Sequence, residues 1–302
     1  MSNISAILVV KDNPLRLAES LTSLDFVDEI VIVDIGITVE GKKILSKFSN
    51  VKIHPIKEQI LYVEQIREKS KSFASHEYIL FLDPDEIVPP TLKDEIVKNM
   101  NNSDYISMPR KNIIFGKWIE HSRWWPDYQI RFFKKDCLIW PTQLHAQPDV
   151  KGKEYKIEAT ETKALIHHNY ETIDEYLSKM IRYAKAEAIE YITKNNELTL
   201  PISLKKGLQE FVSRYFAEKG YKDGMHGTAL AFLQMFYCML VYFFYWEQNK
   251  SAISQSQVQA LEITNHFKQT LYESTYWIEK EKLGSQTERI RNKVLNSLLK
   301  RM

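Results

Sequence analysis

Apolar positions in the first third of the chain come in short unbroken runs, separated by stretches where they recur at helical spacing. The runs are Ser5–Val10 (SAILVV), Glu29–Val33 (EIVIV), Val51–His54 and Tyr78–Leu82 (YILFL). Runs of this length, rich in β-branched side chains and lacking polar alternation, predict strands buried on both faces. Between them, Pro14–Leu24, Lys42–Phe48 and Val63–Phe73 carry the spacing of amphipathic helices. The alternation predicts an α/β fold, a mostly parallel Rossmann-like sheet with helices on both faces. Sheets of this kind take ligands beyond the carboxyl ends of their strands, and both Asp34 and Asp83 close a run at that end.

From about Ser103 to Tyr170 the pattern becomes aromatic-rich and mixed, with turn signals at Phe115-Gly116 and Pro126-Asp127, which fits short strands and loops. Beyond Tyr170 it is helical. Gly284 breaks the last two helices, and Ser285 with Glu288 has the spacing of a capping box. The expected organisation is a nucleotide-binding and catalytic domain over 1–170, a helical region over 171–249 and a helical extension over 250–302.

Composition narrows this frame. In 302 residues, 44% hydrophobic content supports a substantial core, and 41 Lys and Arg against 39 Asp and Glu lack the basic excess of a nucleic-acid binder. The two cysteines, Cys137 and Cys238, lie far apart with no metal-ligand spacing, so neither a disulfide framework nor a zinc site is expected. The opening MSNISAILVVKDN reads as a first strand rather than a signal peptide, and the expected location is the cytoplasm.

The chemistry gathers at FLDPDE, where Asp83, Asp85 and Glu86 crowd the end of a buried run. Carboxylates brought together this way suit a hard cation, and Mg²⁺ or Mn²⁺ held there bridges protein to a diphosphate. A solvated acidic turn explains the same letters. Downstream, RWWPDYQIRFF sets Trp124 and Trp125, flat faces suited to sugar rings, beside the Asp127 carboxylate. The plain alternative is a core Trp pair with Asp127 in a turn.

Taken in order, VVKDN, EIVIVDIGIT, ILFLDPDE, RWWPDYQIRFFKK and LIHHNY resemble the inverting family-2 glycosyltransferases of GT-A fold, closest to the branch that builds lipopolysaccharide cores and surface glycans. The resemblance spans residues 4 to 247. It implies a nucleotide-sugar donor, first of all a UDP-sugar, contacted by Val10, Asp34, Thr38, Arg67 and Asp83. It further implies a Mn²⁺ or Mg²⁺ ion on Asp83 and Asp85 with His168 completing the shell, and Glu86 supporting the loop. Asp127 would be the base that deprotonates the acceptor hydroxyl, with Trp124, Trp125, Arg131 and His145 around a glycan or lipid-linked acceptor. Arg131 has two expected partners, Asp127 or a phosphate. The plain alternatives are a helix-capping role for Asp34, a surface pairing for Arg67 and a structural role for the strand-end histidines His167 and His168.

Two departures from the family wording matter. Where the family has His-Glu this chain has His145-Ala146, and two serines of VDSGST are Ile35 and Ile37. A catalytically silent glycan-binding relative therefore stands beside the enzyme. A sugar-phosphate nucleotidyltransferase is a third reading, weakened by the lack of a glycine-rich basic N-terminal loop. Near the C-terminus, Asp223–Gln248 holds an apolar run of bilayer-spanning length, which with Gln234 at its middle is expected to lie at the cytoplasmic face of the inner membrane, a buried core helix and a true span being the alternatives. The final helix carries Arg289, Arg291, Lys293, Lys300 and Arg301 against Glu288. An anionic surface would attract it, and a solvated face explains it as well.

Overall fold

The computed structural model describes residues 3–58, 60, 63–141, 148–249 and 258–300. The chain divides into two compact units, one of residues 1–113 and 125–169, the other of 114–124 and 170–302. Residues 250–302, expected as a separate extension, fall in the same unit as 171–249.

In the first unit the apolar runs are strands. They are β1 (Ile4–Asp12), β2 (Glu29–Ile37), β3 (Val51–Pro55) and β4 (Tyr78–Leu82), then β5 (Glu86–Ile87) and β6 (Tyr105–Ile114). After β7 (Lys117–Trp118) of the second unit come β8 (Asp127–Lys134), the short β9 (Leu138–Ile139), β10 (Asp149–Val150) and β11 (Glu154–Lys156), and β12 (Leu165–Tyr170). The main sheet runs β3-β2-β1-β4-β8-β6-β12-β5. Its β3-β2-β1-β4 half is parallel, whereas β8 lies antiparallel to both β4 and β6, and β12 antiparallel to β5. The strand order reverses between β1 and β4, the switch point at which such sheets open a crevice for ligands.

Side-chain alternation sorts the strands' apolar residues into two layers. Ile4, Ala6, Leu8 and Val10 of β1 join Leu80 and Leu82 of β4 under α1 (Leu17–Thr22), α2 (Val39–Leu45) and the later α4 (Pro90–Asn99). Ile7, Val9, Ile79 and Phe81 face the other way, where α3 (Glu64–Ser70) contributes Ile66. Each fully buried Leu or Ile contributes about 1.5–3 kcal/mol. Helices α1 and α3 are shorter than their periodic stretches, the Val63–Phe73 stretch ending in a 3₁₀ turn from Lys71, and α2 begins three residues before its own.

At the sheet's amino end a charge is buried and paired across three strands. Glu29 of β2, 3% exposed, accepts from Ser5 of β1 at 2.6 Å, from Lys52 of β3 at 2.7 Å and from Ser75. Burial pushes its carboxyl up, but the bonds from Lys52, Ser5 and Ser75 outweigh that and pull its pKa down to about 2.

The second unit is helical: α5 (Ile173–Thr193), α6 (Leu200–Val212), α7 (Met225–Gln248), α8 (Val258–Lys280) and α9 (Gln286–Leu299). Thr172 and Thr199 cap α5 and α6 through their hydroxyls, and the Ser285/Glu288 capping box on α9 forms in both halves. The buried face of α7 (Leu230, Ala231, Cys238, Val241) packs against α5 and α6. Gly207 permits the close α6–α7 approach, since a Cβ there would sit 2.8 Å from the Met235 carbonyl oxygen. Asp223, 3% exposed ahead of α7, accepts from the backbone of Glu120 and His121 and meets His121 Nδ1 at 3.1 Å. By length and composition α7 is apolar enough to cross a membrane. Both cysteines are free thiols.

Candidate functional site

Strand register builds the site. In the β6–β8 pair Arg110 stands opposite Asp127, and in the β12–β5 pair His167 stands opposite Glu86. Because side chains alternate along a strand, Arg110 and Asn112 share a face of β6, as do Asp127 and Gln129 along β8, while a register shift opposite Ile106 and Ser107 sets Arg131 out of that alternation. These faces meet the carboxyl end of β4, where Asp83 follows directly. The result is a polar stripe across the sheet, at the opposite end of the parallel strands from Glu29.

Glu86 is fully buried and holds the Asp83 loop by accepting the Asp83 N–H at 3.0 Å. Its other oxygen accepts from Arg131 Nη2 at 2.6 Å and Arg110 Nη1 at 3.2 Å. Arg131, 2% exposed, also donates to Asp83 Oδ2. Isolated charges buried this deeply would each cost several kcal/mol, and interleaving the two signs removes most of that penalty. Burial pushes the Asp83 carboxyl up, yet Arg131, Arg67, His167 and Arg110 together hold it well below the usual carboxylate range. Burial pulls the Arg131 guanidinium down while Asp83 and Glu86 more than reverse this, so it stays charged.

Asp127 is held by four N–H donors. Oδ2 accepts from Arg110 Nε at 2.8 Å, Arg110 Nη2 at 2.5 Å and Asn112 Nδ2 at 3.1 Å, while Oδ1 accepts from Gln129 Nε2 at 2.7 Å. An ionised carboxylate offers about four lone-pair positions, two on each oxygen, so the one left for a further proton belongs to Oδ1. Asn112 links this group to the next, because its Oδ1 lies 2.7 Å from His167 Nδ1. His167 Nε2 is 3.6 Å from Asp85 Oδ1.

Several expected positions shift. Arg131 pairs with Asp83 and Glu86, not with Asp127, and its burial removes it from the acceptor-facing surface assigned to it. The partner of Asp127 is Arg110, which the motif reading passed over. His167 turns toward the carboxylates, whereas the β12 alternation sends His168 to the opposite face. Asp83, Glu86 and His167 offer ligand atoms within 4.8 Å of one another. Both oxygens of Glu86 already accept hydrogen bonds, which leaves the carboxylates of Asp83 and Asp85 and the His167 imidazole as the candidate donors to a cation. This hard oxygen and nitrogen set fits Mg²⁺ or Mn²⁺.

Arg67 reaches Asp83 Oδ1 at 3.9 Å and stacks on Trp140, 4.9 Å from the ring centroid. Its buried Nε has no hydrogen-bond partner among the described residues. Asp34 is 7% exposed and folds its own loop, Oδ1 accepting from Ile37 at 2.7 Å and Gly36 at 2.9 Å, with Lys42 3.4 Å from Oδ2. Burial raises its pKa, but the two N–H groups and Lys42 lower it overall. The Thr38 hydroxyl caps α2 by accepting from Gly41 at 3.2 Å. Val10 is fully buried in the core, so its side chain can touch no ligand and only its backbone remains for that purpose. Ile35 and Ile37, standing where the family has serines, pack into the two apolar layers.

The two tryptophans part company. Trp125 belongs to the first unit, and Trp124 to the second, where it packs with Ile114, Ile119, Tyr176 and Leu230. His145 and Ala146 lie outside the described residues. The missed residues Arg110, Asn112 and Gln129 did leave a signal. Arg-x-Asn and Asp-x-Gln place polar residues at every second position inside strands, which is one face.

No family model matches the chain. It is 21% identical over 243 residues to an uncharacterized glycosyltransferase of Rickettsia felis, an alignment covering 75% of this chain and 83% of the relative. Among solved structures it is similar to S. aureus TarS 1-349 (TM-score 0.41, 14% identity, 92% of this chain and 81% of that one). The same TarS fragment in complex with UDP gives a TM-score of 0.44 at 14% identity, covering 83% of this chain and 93% of that one.

Proposed function

We propose that this protein is a metal-assisted glycosyltransferase that moves one sugar from a nucleotide-diphosphate donor, a UDP-sugar, to an acceptor hydroxyl with inversion. The observation that carries the reading is the carboxylate–guanidinium cluster at the switch point of the sheet. Asp83 and Asp85 with His167 would hold Mn²⁺ or Mg²⁺, which supplies charge neutralisation to the leaving diphosphate. Arg67, with its unpartnered Nε, is suited to a phosphate oxygen. Asp127 would take the acceptor's proton on Oδ1, its geometry fixed by Arg110, Asn112 and Gln129. The motif order and the Rickettsia felis relative support the same chemistry. The acceptor in this reading is a surface or lipopolysaccharide-type glycan, lipid-linked and handled at the cytoplasmic face of the inner membrane.

The engagement of Asp127 by four donors also favours a second reading, a silent relative that binds the donor without turning it over. A screen of nucleotide sugars with and without Mn²⁺, on wild type and Asp85→Ala, separates the two. The enzyme hydrolyses or transfers one UDP-sugar, and loses that activity with chelator or with the substitution. The silent relative binds the donor and releases nothing. Binding of no nucleotide sugar removes both readings.

A further inference from the structure

Helix α9 is docked inside out. Its inward positions are Arg289, Asn292, Asn296 and Leu299, and Asn292 Nδ2 donates to the Thr275 carbonyl of α8 at 2.7 Å. On that side Arg289 Nε and Asn296 Oδ1 are buried with no hydrogen-bond partner among the described residues. The outward side is apolar: Ile290 is 58% exposed, Val294 57% and Leu298 54%. At 100° per residue these three positions form one stripe, nearly opposite the packed one. A helix seated by its own burial energy would turn the other way, since about 25 cal/mol is lost for each Å² of apolar surface left in water.

Charge indicates what covers the stripe. Arg291 and Lys293 are exposed on either side of that stripe, Lys300 follows the helix, and residues 285–302 carry five basic side chains against Glu288 alone. Long basic side chains beside an apolar stripe suit a helix lying in the headgroup layer, with stems among the acyl chains and heads at the phosphates. A second copy of this helix would bring like charges together. In the same unit α7 turns Phe232, Phe236 and Phe243 outward, each at least 43% exposed, a second set of aromatic side chains open to solvent.

We propose that the outward stripe of α9, flanked by Arg291 and Lys293, docks this protein on an anionic lipid bilayer. The inference does not depend on the catalytic reading, because α9 contributes nothing to the strand-end cluster. Sedimentation of the full chain with phosphatidylcholine vesicles, with and without phosphatidylglycerol, tests it. Binding is expected only with phosphatidylglycerol, weakening as salt screens the charges. Changing Ile290, Val294 and Leu298 together to Ser is expected to weaken binding about tenfold or more, through lost apolar insertion. The double change Arg291→Glu and Lys293→Glu is expected to act likewise, with nucleotide-sugar binding unchanged in both variants. Equal binding to both vesicle types would overturn the proposal. So would full binding by the Ser variant, which would leave the α7 face as the anchor, or a concentration-dependent dimer that the Ser variant abolishes.

Discussion

The strand-end cluster of the first unit and the α9 face of the second depart from the usual partition of side chains in opposite directions. The cluster takes Glu86 and Arg131 almost wholly out of water, and α9 leaves Ile290, Val294 and Leu298 largely in it. A buried charge is tolerated only when its partners are supplied, and here each carboxylate oxygen of Glu86 meets an N–H donor. An exposed apolar stripe has no such internal remedy and contributes nothing to folding. Buried polarity therefore reports a site completed within the chain, and exposed apolarity one completed from outside.

That contrast yields a graded set of tests. Asp127→Asn removes a negative charge but keeps the shape, and transfer to acceptor is expected to fall about 10²–10⁴-fold as for loss of a general base. Donor binding should be unchanged, measured by calorimetry; unaltered turnover would make Asp127 purely structural. Arg131→Met removes the guanidinium that Asp83 and Glu86 share, leaving them Arg67 and Arg110, and a loss of about 3–5 kcal/mol in denaturant unfolding is expected. A cost near zero would mean that water already reaches the cluster, which would dissolve the comparison.

Glu29→Gln offers a milder case, about 1–3 kcal/mol at neutral pH from weakened bonds to Lys52, Ser5 and Ser75. The folded carboxyl has the lower pKa, so its contribution is present above about 4.5 and lost as pH falls toward about 2. Wild type and variant should converge across that window in thermal melts. The smallest effect belongs to α9: Val294→Ser is expected to move stability by no more than about 0.5 kcal/mol, because no packing is lost. A larger loss would show that the stripe is covered within the chain after all.

Much of the first unit was legible because its signals are local. Uninterrupted runs such as YILFL become strands wherever a sheet buries both faces, and Asp83 had to follow one of them. The Ser285/Glu288 box was equally readable, since both partners lie within a single turn. The partners of Asp127 were not. The WPDYQIR motif suggested Arg131, four residues away on the same strand, but Arg110 arrives from β6, where the antiparallel register sets it directly opposite. The choice of His167 over His168 likewise depends on which face of β12 meets Glu86.

By itself the sequence determined which segments run apolar or recur at helical spacing, which carboxylates close strands, and that the final helix is basic. Those properties repeat within a few residues and follow from backbone geometry. Only the tertiary structure decided which guanidinium neutralises which carboxylate, and that α9 shows its apolar side to solvent. Both depend on register and docking between segments distant along the chain, where free energy depends on what is brought into contact rather than on local periodicity.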